Sequence, residues 1–216
     1  MVNILSHCSK YSQSVHNLGQ ALKDLGTVTL HYGNGVNKLD QYNFFKANGI
    51  PCPEFTEKYE VAKSWIKAGF EVVARTLVQG HAGHGVIVTN KLEELPPDAK
   101  IYTKYQLKLR EFRVNIFKDK LVNVREKKLM NGHKPHKVRA QSNGYTTTFA
   151  KDVPQQVIDW ALKAAQVSES DFKGVDVIYN KALNKAFILE VNSGPSIEGQ
   201  SVNDYVKAIK TYVESL

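Results

Sequence analysis

Two cysteines, Cys8 and Cys52, are all that the 216 residues contain, too few for the disulfide framework that staples small secreted domains. The N-terminus "MVNILSHCSKYSQS" has no basic region followed by an apolar core. No signal peptide is therefore expected, and both thiols are expected to be reduced, in the cytoplasm. No apolar run approaches the ~20 residues that a bilayer-crossing helix needs. Neither G-x-S-x-G nor C-x-x-C occurs, which removes a nucleophile elbow and a dithiol redox centre. Gly80 and Gly85 have the spacing of a P-loop, but Val86 and Ile87 stand where Lys and Ser/Thr are required. His133/His136 and His81/His84 lack the further ligands and the helical setting of a zinc site. Internal repeats and low-complexity segments are missing too.

What remains is ordinary globular material, 42% hydrophobic and 23% charged, long enough for one large domain or two small lobes. Lys and Arg total 29 against 21 Asp and Glu, a formal charge of +8. Such a balance suits a polyanionic partner such as a nucleotide, a nucleic acid or an acidic polymer, and equally a merely soluble surface. The basic clusters "KLREFR", "KDK" and "REKK" are short and scattered, so there is no basic tail.

Residues 12–25 place Val15, Leu18, Leu22 and Leu25 at helical spacing, with Gly26 as a stop. A short strand "TVTLHYG" follows, and then a helix from about Lys38 to Ala47 ended by Asn48-Gly49. A helix near 57–68 and strands over 70–74, 86–89, 101–107, 111–117 and 120–126 come next. After a polar stretch, "VPQQVIDWALKAAQV" predicts a helix with Pro154 near its first turn. "GVDVIY" and "AFILEVN" predict a hairpin around "NKALNK", and a last helix covers about 202–213. Hairpins mixed with helices define an α+β protein, not an alternating parallel sheet.

The C-terminal hairpin raises a chemical question. Side chains of a strand alternate faces, so Glu190 and Asn192 emerge on one side. One register sets Asp176 opposite Glu190; a slip of one residue would put them on opposite faces. If the register holds, two carboxylates and an amide oxygen converge, and paired carboxylates need a cation between them. An all-oxygen set suits Mg²⁺. The alternative is a polar strand end in solvent.

A second candidate is "VVARTLVQGHAGHGVIV", a strand ending in Arg75, a Gly-rich loop and another strand. Glycines admit close approach of backbone N–H groups to a phosphate, and Arg75 can pair with its oxygens; a hairpin tip is the competing reading. Arg113 shares a face with Glu111, either as a surface pair or as a charge inside a cleft. Arg125, Lys127 and Lys128 read by default as a solvated strand end. Arg139 and Asn143-Gly144 form either a donor loop or only a turn. Tyr102 and Tyr105 suit base stacking or, more commonly in strands, a core.

Taken in order, these motifs resemble the ATP-grasp superfamily, closest to its carboxylate–amine ligases. "NKLDQYNFFKANGIPCPEF" is similar to its lysine-led helix, "VVARTLVQGHAGHGV" to the strand and glycine loop over the triphosphate, and "IYTKYQLKLREFRVNIFKDKLVNV" to the linker and the E-x-R strands. "GVDVIY…FILEVNSGPSIEG" resembles the terminal metal motif. The resemblance implies an ATP-grasp fold, with residues 1–36 as a truncated N-terminal segment like that of small phage-type members. Residues 37–216 would be the grasp domain, with a small lobe at about 57–105 and a large one at about 106–216. It implies ATP-dependent activation of a carboxylate as an acylphosphate for attack by an amine. It also implies Mg²⁺, with Mn²⁺ possible, on Asp176, Glu190 and Asn192. Lys38 would belong to the nucleotide site, Arg75 and the backbone around Gly80, Gly83 and Gly85 would hold the phosphates, main-chain groups near Gln106 and Leu107 would meet the adenine, and Arg113 and Arg139 would face the transferred phosphate or the substrate carboxylate. The family usually has Lys at the position of Arg75 and an acidic residue at that of Lys104. The alternative is a protein of this fold without catalysis that binds a nucleotide, a nucleic acid or another polyanion.

Overall fold

A computed structural model of the chain describes residues 2–6, 13–22, 28–32, 36–77, 85–107, 110–193, 197 and 199–216. The N-terminal elements are β1 (Val2–Ser6), α1 (Gln13–Leu22) and β2 (Val28–Tyr32), then α2 (Lys38–Ala47). β3 (Phe55–Thr56), α3 (Tyr59–Lys67), β4 (Val72–Arg75), β5 (Val86–Thr89) and β6 (Ile101–Lys104) follow. The remainder is β7 (Arg110–Phe117), β8 (Lys120–Leu129), β9 (Tyr145–Phe149), α4 (Gln155–Ala165), β10 (Phe172–Asn180), β11 (Lys185–Asn192) and α5 (Gln200–Glu214). Among the described residues no helix is long and apolar enough to cross a membrane.

Three sheets result. β1 and β2 pair in parallel across α1; β3-β6-β4-β5 and β11-β10-β7-β8-β9 are antiparallel. The architecture is α+β, as the order of motifs predicts. Local chemistry sets several boundaries. The Asn37 side chain accepts from Asp40 N at 3.0 Å and caps α2, whose far end turns at Gly49 with φ +63°. β7 and β8 join through Lys118, at φ +52°. That unfavourable conformation is held by Asp171, whose carbonyl accepts from Lys118 N at 2.6 Å and whose carboxylate accepts from Lys118 Nζ at 3.0 Å.

The large sheet has two unlike faces. One buries Phe112, Val114, Val175, Val177 and Ile188 against α4 and α2. Each such side chain removed from water contributes roughly 1.5–3 kcal/mol. The opposite face carries Glu111, Arg113 and Asp176 along its middle. At one end of it Phe117 and Phe172 pack under Tyr205 and Ile209 of α5. Ile4, Leu18 and Leu22 join that cluster, so the N-terminal segment shares its core with the C-terminal helix.

Two strands lie outside the sequence reading. β1 is short, and β9, "YTTTF", buries only Tyr145, so neither shows the apolar alternation by which strands are recognised. The strand expected over 70–74 is shifted to Val72–Arg75 because Phe70 N bonds back to Trp65 O at 2.9 Å to close α3. The strand expected over 101–107 ends at Lys104.

Candidate functional site

The large sheet's polar face and the small sheet enclose a cavity of about 530 Å³, within the range of small-molecule sites. Lys38, Arg75, Gln106, Arg113, Arg139, Asp176, Glu190 and Asn192 all line it. Eight candidates from five separate segments thus meet in one place. Leu107 is not among the lining residues and is 62% exposed. Gly80 and Gly83 lie outside the described residues.

The register places Asp176 directly opposite Glu190, and Arg113 opposite Asp176 on the other side. A bulge makes this arrangement possible. Ile188 sits in the core and Glu190 in the cavity, although a regular strand would set residues two apart on the same face. The pairing shifts between Asp176 and Val177, so that Val177 pairs with Ile188 and Asp176 with Glu190. The extra residue reverses the alternation. Asn192 then follows Glu190 on the cavity side, its Nδ2 donating to Glu190 Oε1 at 3.0 Å.

Every carboxylate of this wall has a cation beside it. Arg113 donates in a fork to Asp176, Nε to Oδ1 and Nη2 to Oδ2, each at 2.8 Å. Lys127 Nζ donates to Glu111 Oε1 at 2.6 Å and to Asp176 Oδ2 at 3.3 Å. Lys38, at the start of α2, pairs with Glu190. Gln41, one turn on, ties α2 to the strand carrying Glu190, accepting from Val191 N at 2.7 Å and donating to Val191 O at 3.0 Å. Burial pushes the Glu190 carboxyl up, but Lys38, Arg75 and the hydrogen bonds from Lys38 and Asn192 outweigh it. The group is held well below the usual carboxylate range. At Asp176 burial likewise opposes, and Arg113 and Lys127 prevail to lower it. Lys127 is kept charged in the same way: burial works against it, while Asp176 and Glu111 raise it.

Lys127 corrects the expectation of a solvated strand end; its side chain is only 15% exposed. The alternation of β8 held the clue. Arg125 pairs opposite Arg113 and Glu126 opposite Phe112, which puts Lys127 beside Glu111. Arg125 is also drawn inward, donating to Thr147 and to Ser201 of α5. Lys128, 54% exposed, fits the original reading. Tyr102 belongs to the small sheet's core, its hydroxyl donating to Pro96 O at 2.7 Å, whereas Tyr105 lines the cavity.

The small sheet contributes a different wall. Arg75, at the end of β4, has its Nε buried with no hydrogen-bond partner among the described residues. Thr76 N bonds Gly85 O at 2.9 Å and closes the stem of the glycine loop. Gly85 adopts φ +70°, and a Cβ there would lie 2.8 Å from Thr76 Oγ1, so both conformation and space require glycine. Lys104 pairs with Glu54 at 2.6 Å and sits over the rings of Phe70 and Trp65. Lys137, from the segment between β8 and β9, pairs with Glu71 beside β4 and so bridges the two walls. Arg139 stacks over Tyr145 at 5.7 Å. In all, seven cationic and three anionic side chains line the cavity.

Two antiparallel sheets gripping a cationic cavity, one bearing a carboxylate–amide wall and the other a cation and a glycine loop, define an ATP-grasp protein. The family model described as the RimK-like ATP-grasp domain matches residues 36–216, and the chain belongs to that family. Its fold is similar to that of D-alanine–D-alanine ligase from Bacillus anthracis, with 11% identity and TM-score 0.58 over 91% of this chain and 87% of that one. The macrocyclase MdnC from Microcystis aeruginosa MRC, bound with precursor peptide MdnA, gives 10% identity and TM-score 0.61 over 95% and 99% of the two chains. The ATP-grasp ligase PsnB, complexed with minimal precursor, Mg and ADP, gives 16% and 0.55, and the chain covers 50% of its length. At these identities the fold alone is shared. Comparison with curated proteins returns no match.

Proposed function

We propose that this chain is an ATP- and Mg²⁺-dependent ligase that activates a carboxylate as an acylphosphate for attack by an amine or a similar nucleophile. The observation that carries the reading is the opposed pair Asp176 and Glu190, with Asn192 beside it, on a cavity wall facing Arg75. Family membership supports ATP-dependent ligation, and D-alanine–D-alanine ligase and PsnB are ligases on the same fold.

The donor set fits the metal. Two carboxylates and an amide oxygen, with no sulfur or imidazole among them, suit Mg²⁺ and, less selectively, Mn²⁺. Both carboxylates stay ionised, as metal ligands must. Asp176, Glu190 and Asn192 would hold the ion, which supplies neutralisation of charge on the phosphate oxygens. Arg75, whose Nε has no partner, and the backbone about Gly85 would hold phosphate, with Gly80 and Gly83 completing the loop. Lys38 would exchange its contact with Glu190 for a phosphate oxygen. Gln106, with the main chain at Leu107, would meet the adenine.

Arg113 commits Nε and Nη2 to Asp176, and Nη1 would serve a transferring phosphate or substrate carboxylate; Arg139, which also lines the cavity, would orient the substrate. In the reaction a substrate carboxylate oxygen attacks the γ-phosphorus and ADP departs. The nucleophile then attacks the acyl carbon, its proton passes to solvent or base, and inorganic phosphate leaves. Residues 37–216 would constitute the catalytic unit, with lobes at about 57–105 and 106–216.

ADP release measured with Mg²⁺ and a panel of carboxylates and amines tests the proposal. Turnover that requires both Mg²⁺ and an acceptor is expected, and Glu190→Gln abolishes it. Absence of ATP binding sinks the reading. Salt-dependent binding of nucleic acid without turnover would favour the polyanion-binding alternative suggested by the +8 charge.

A further inference from the structure

Tyr42 packs like a core residue but carries one polar atom that the core does not use. It lies one turn after Lys38 on the same face of α2. Gln41 beside it fixes that helix to β11 through both backbone groups of Val191. Phe45 meets the Tyr42 ring edge-on at 6.0 Å and Phe55 lies against it at 5.1 Å. The residue is only 1% exposed, and a phenylalanine would fill the same space equally well.

A buried tyrosine hydroxyl ordinarily finds a partner. Tyr102, Tyr145 and Tyr179 conform, donating to Pro96 O, His136 O and Asn184 Oδ1. Among the described residues the Tyr42 hydroxyl makes no hydrogen bond. Tyr205 shares that property, but it packs on Phe172 in the α5 cluster and is not among the residues that line the cavity. Tyr42 does line it.

The charges acting on the hydroxyl belong to the site. Burial pushes the phenol up, Arg75 opposes, Cys52 and Glu190 add to the rise, and the balance is about 12. The group therefore keeps its proton at ordinary pH and has it to donate. Arg75, on β4, presents a second unused donor, its buried Nε. Two buried donors without acceptors, from α2 and β4, call for an anion. A phosphate has several anionic oxygens and can accept from both at once, and a hydroxyl bonded to such an oxygen makes a short, strong contact.

We propose that the Tyr42 hydroxyl is a further phosphate-binding group of this site, donating to an oxygen of the same nucleotide phosphate chain that Arg75 holds. α2 then supplies phosphate contacts from two successive turns, Lys38 and Tyr42. The assignment rests on the reading above in taking the ligand to be a nucleotide, and it is independent of which carboxylate and nucleophile react.

The test compares Tyr42→Phe with the native chain by calorimetric titration with adenosine, ADP and ATP in the presence of Mg²⁺, and by thermal melting without ligand. The substitution deletes one oxygen and keeps the packed ring. The free variant should melt at the native temperature or above it, because a buried hydroxyl without a partner is removed. Its affinity for ATP should nevertheless fall about 10-fold, the loss expected for one hydrogen bond to a charged group. Adenosine, which has no phosphate for the hydroxyl to meet, should bind within about 2-fold of the native value. Higher stability with weaker ATP binding is a combination that a purely structural tyrosine does not produce.

ATP affinity unchanged in Tyr42→Phe overturns the proposal. So does a loss for adenosine as large as that for ATP, because the hydroxyl would then act through the shape of the site and not on phosphate. ATP binding by the native chain separates the two readings. If the native chain binds no ATP, both fall together; if it binds ATP and Tyr42→Phe binds it equally well, this assignment alone fails.

Discussion

The two walls of the cavity differ in how far their charges are already satisfied. On the large sheet, Asp176 holds Arg113 and Lys127, Glu111 holds Lys127, and Glu190 holds Lys38 and Asn192. On the small sheet, Arg75 buries an Nε for which the described residues provide no acceptor. A buried polar group without a partner costs free energy, typically about 1–3 kcal/mol. Under the proposed function, the large wall is largely built at folding and the wall of Arg75 is completed by the nucleotide. Substitutions on the first should cost stability and chemistry together, and those on the second should cost binding alone.

The largest effect is expected at the carboxylates. Glu190→Gln keeps the shape of the wall but replaces an anionic oxygen by a neutral one, and under the proposed function it should lower the rate of ADP formation at least ~10³-fold, about 4 kcal/mol of barrier. Chelation of Mg²⁺ should do the same to the unaltered protein. Next comes Arg113→Ala. Removing it leaves Asp176 buried beside Lys127 alone, so chemical denaturation should show a loss of about 3 kcal/mol. Such a loss distinguishes a structural clamp from a surface pair, for which under 1 kcal/mol is expected.

Arg75→Ala should invert that pattern. The midpoint of denaturation should move by no more than about 0.5 kcal/mol, or even rise, because an orphaned donor is deleted. ATP affinity, read by calorimetry, should fall about 10-fold or more. If Arg75→Ala destabilises as strongly as Arg113→Ala, the contrast between the walls is lost. Gly85→Ala should cost about 1–2 kcal/mol through its left-handed backbone and its approach to Thr76.

The smallest effect concerns pH. Asp176 and Glu190 are both held below the ordinary carboxylate range in the fold, against about 4 when unfolded. Their contribution to stability is complete above about pH 4 and is lost as the pH falls through their lowered native values. Melting temperature should be flat between pH 5 and 7 and decline below pH 4. In Glu190→Gln the decline should be shallower.

Much of the large wall was legible in the chain. The run "FILEVN" and the turn "NKALNK" mark the hairpin and place its two carboxylates near one another, but the turn's register alone would set Asp176 opposite Leu189, and it is the shift between Asp176 and Val177 that brings Glu190 there. The bulge that lets Ile188 stay in the core was not legible, since it leaves no mark in a six-residue run. Lys127 was missed for a related reason. In "VREKKL" four of six residues are charged, so the pattern of charge does not distinguish cavity from solvent, and only pairing with Glu111 decides. β9 hid because three threonines carry no apolar alternation. The wall of Arg75 was recognised from its motif, and Gly80 and Gly83 of that motif lie outside the described residues.

The central claim is that the wall of Asp176, Glu190 and Asn192 serves metal-assisted phosphoryl transfer from ATP. Its most direct test is ADP and phosphate release in the presence of an acceptor carboxylate, with and without Mg²⁺, in the native chain and in Glu190→Gln. The account predicts release only from the native chain with Mg²⁺. Equal release from Glu190→Gln, or release that persists in chelator, would contradict it.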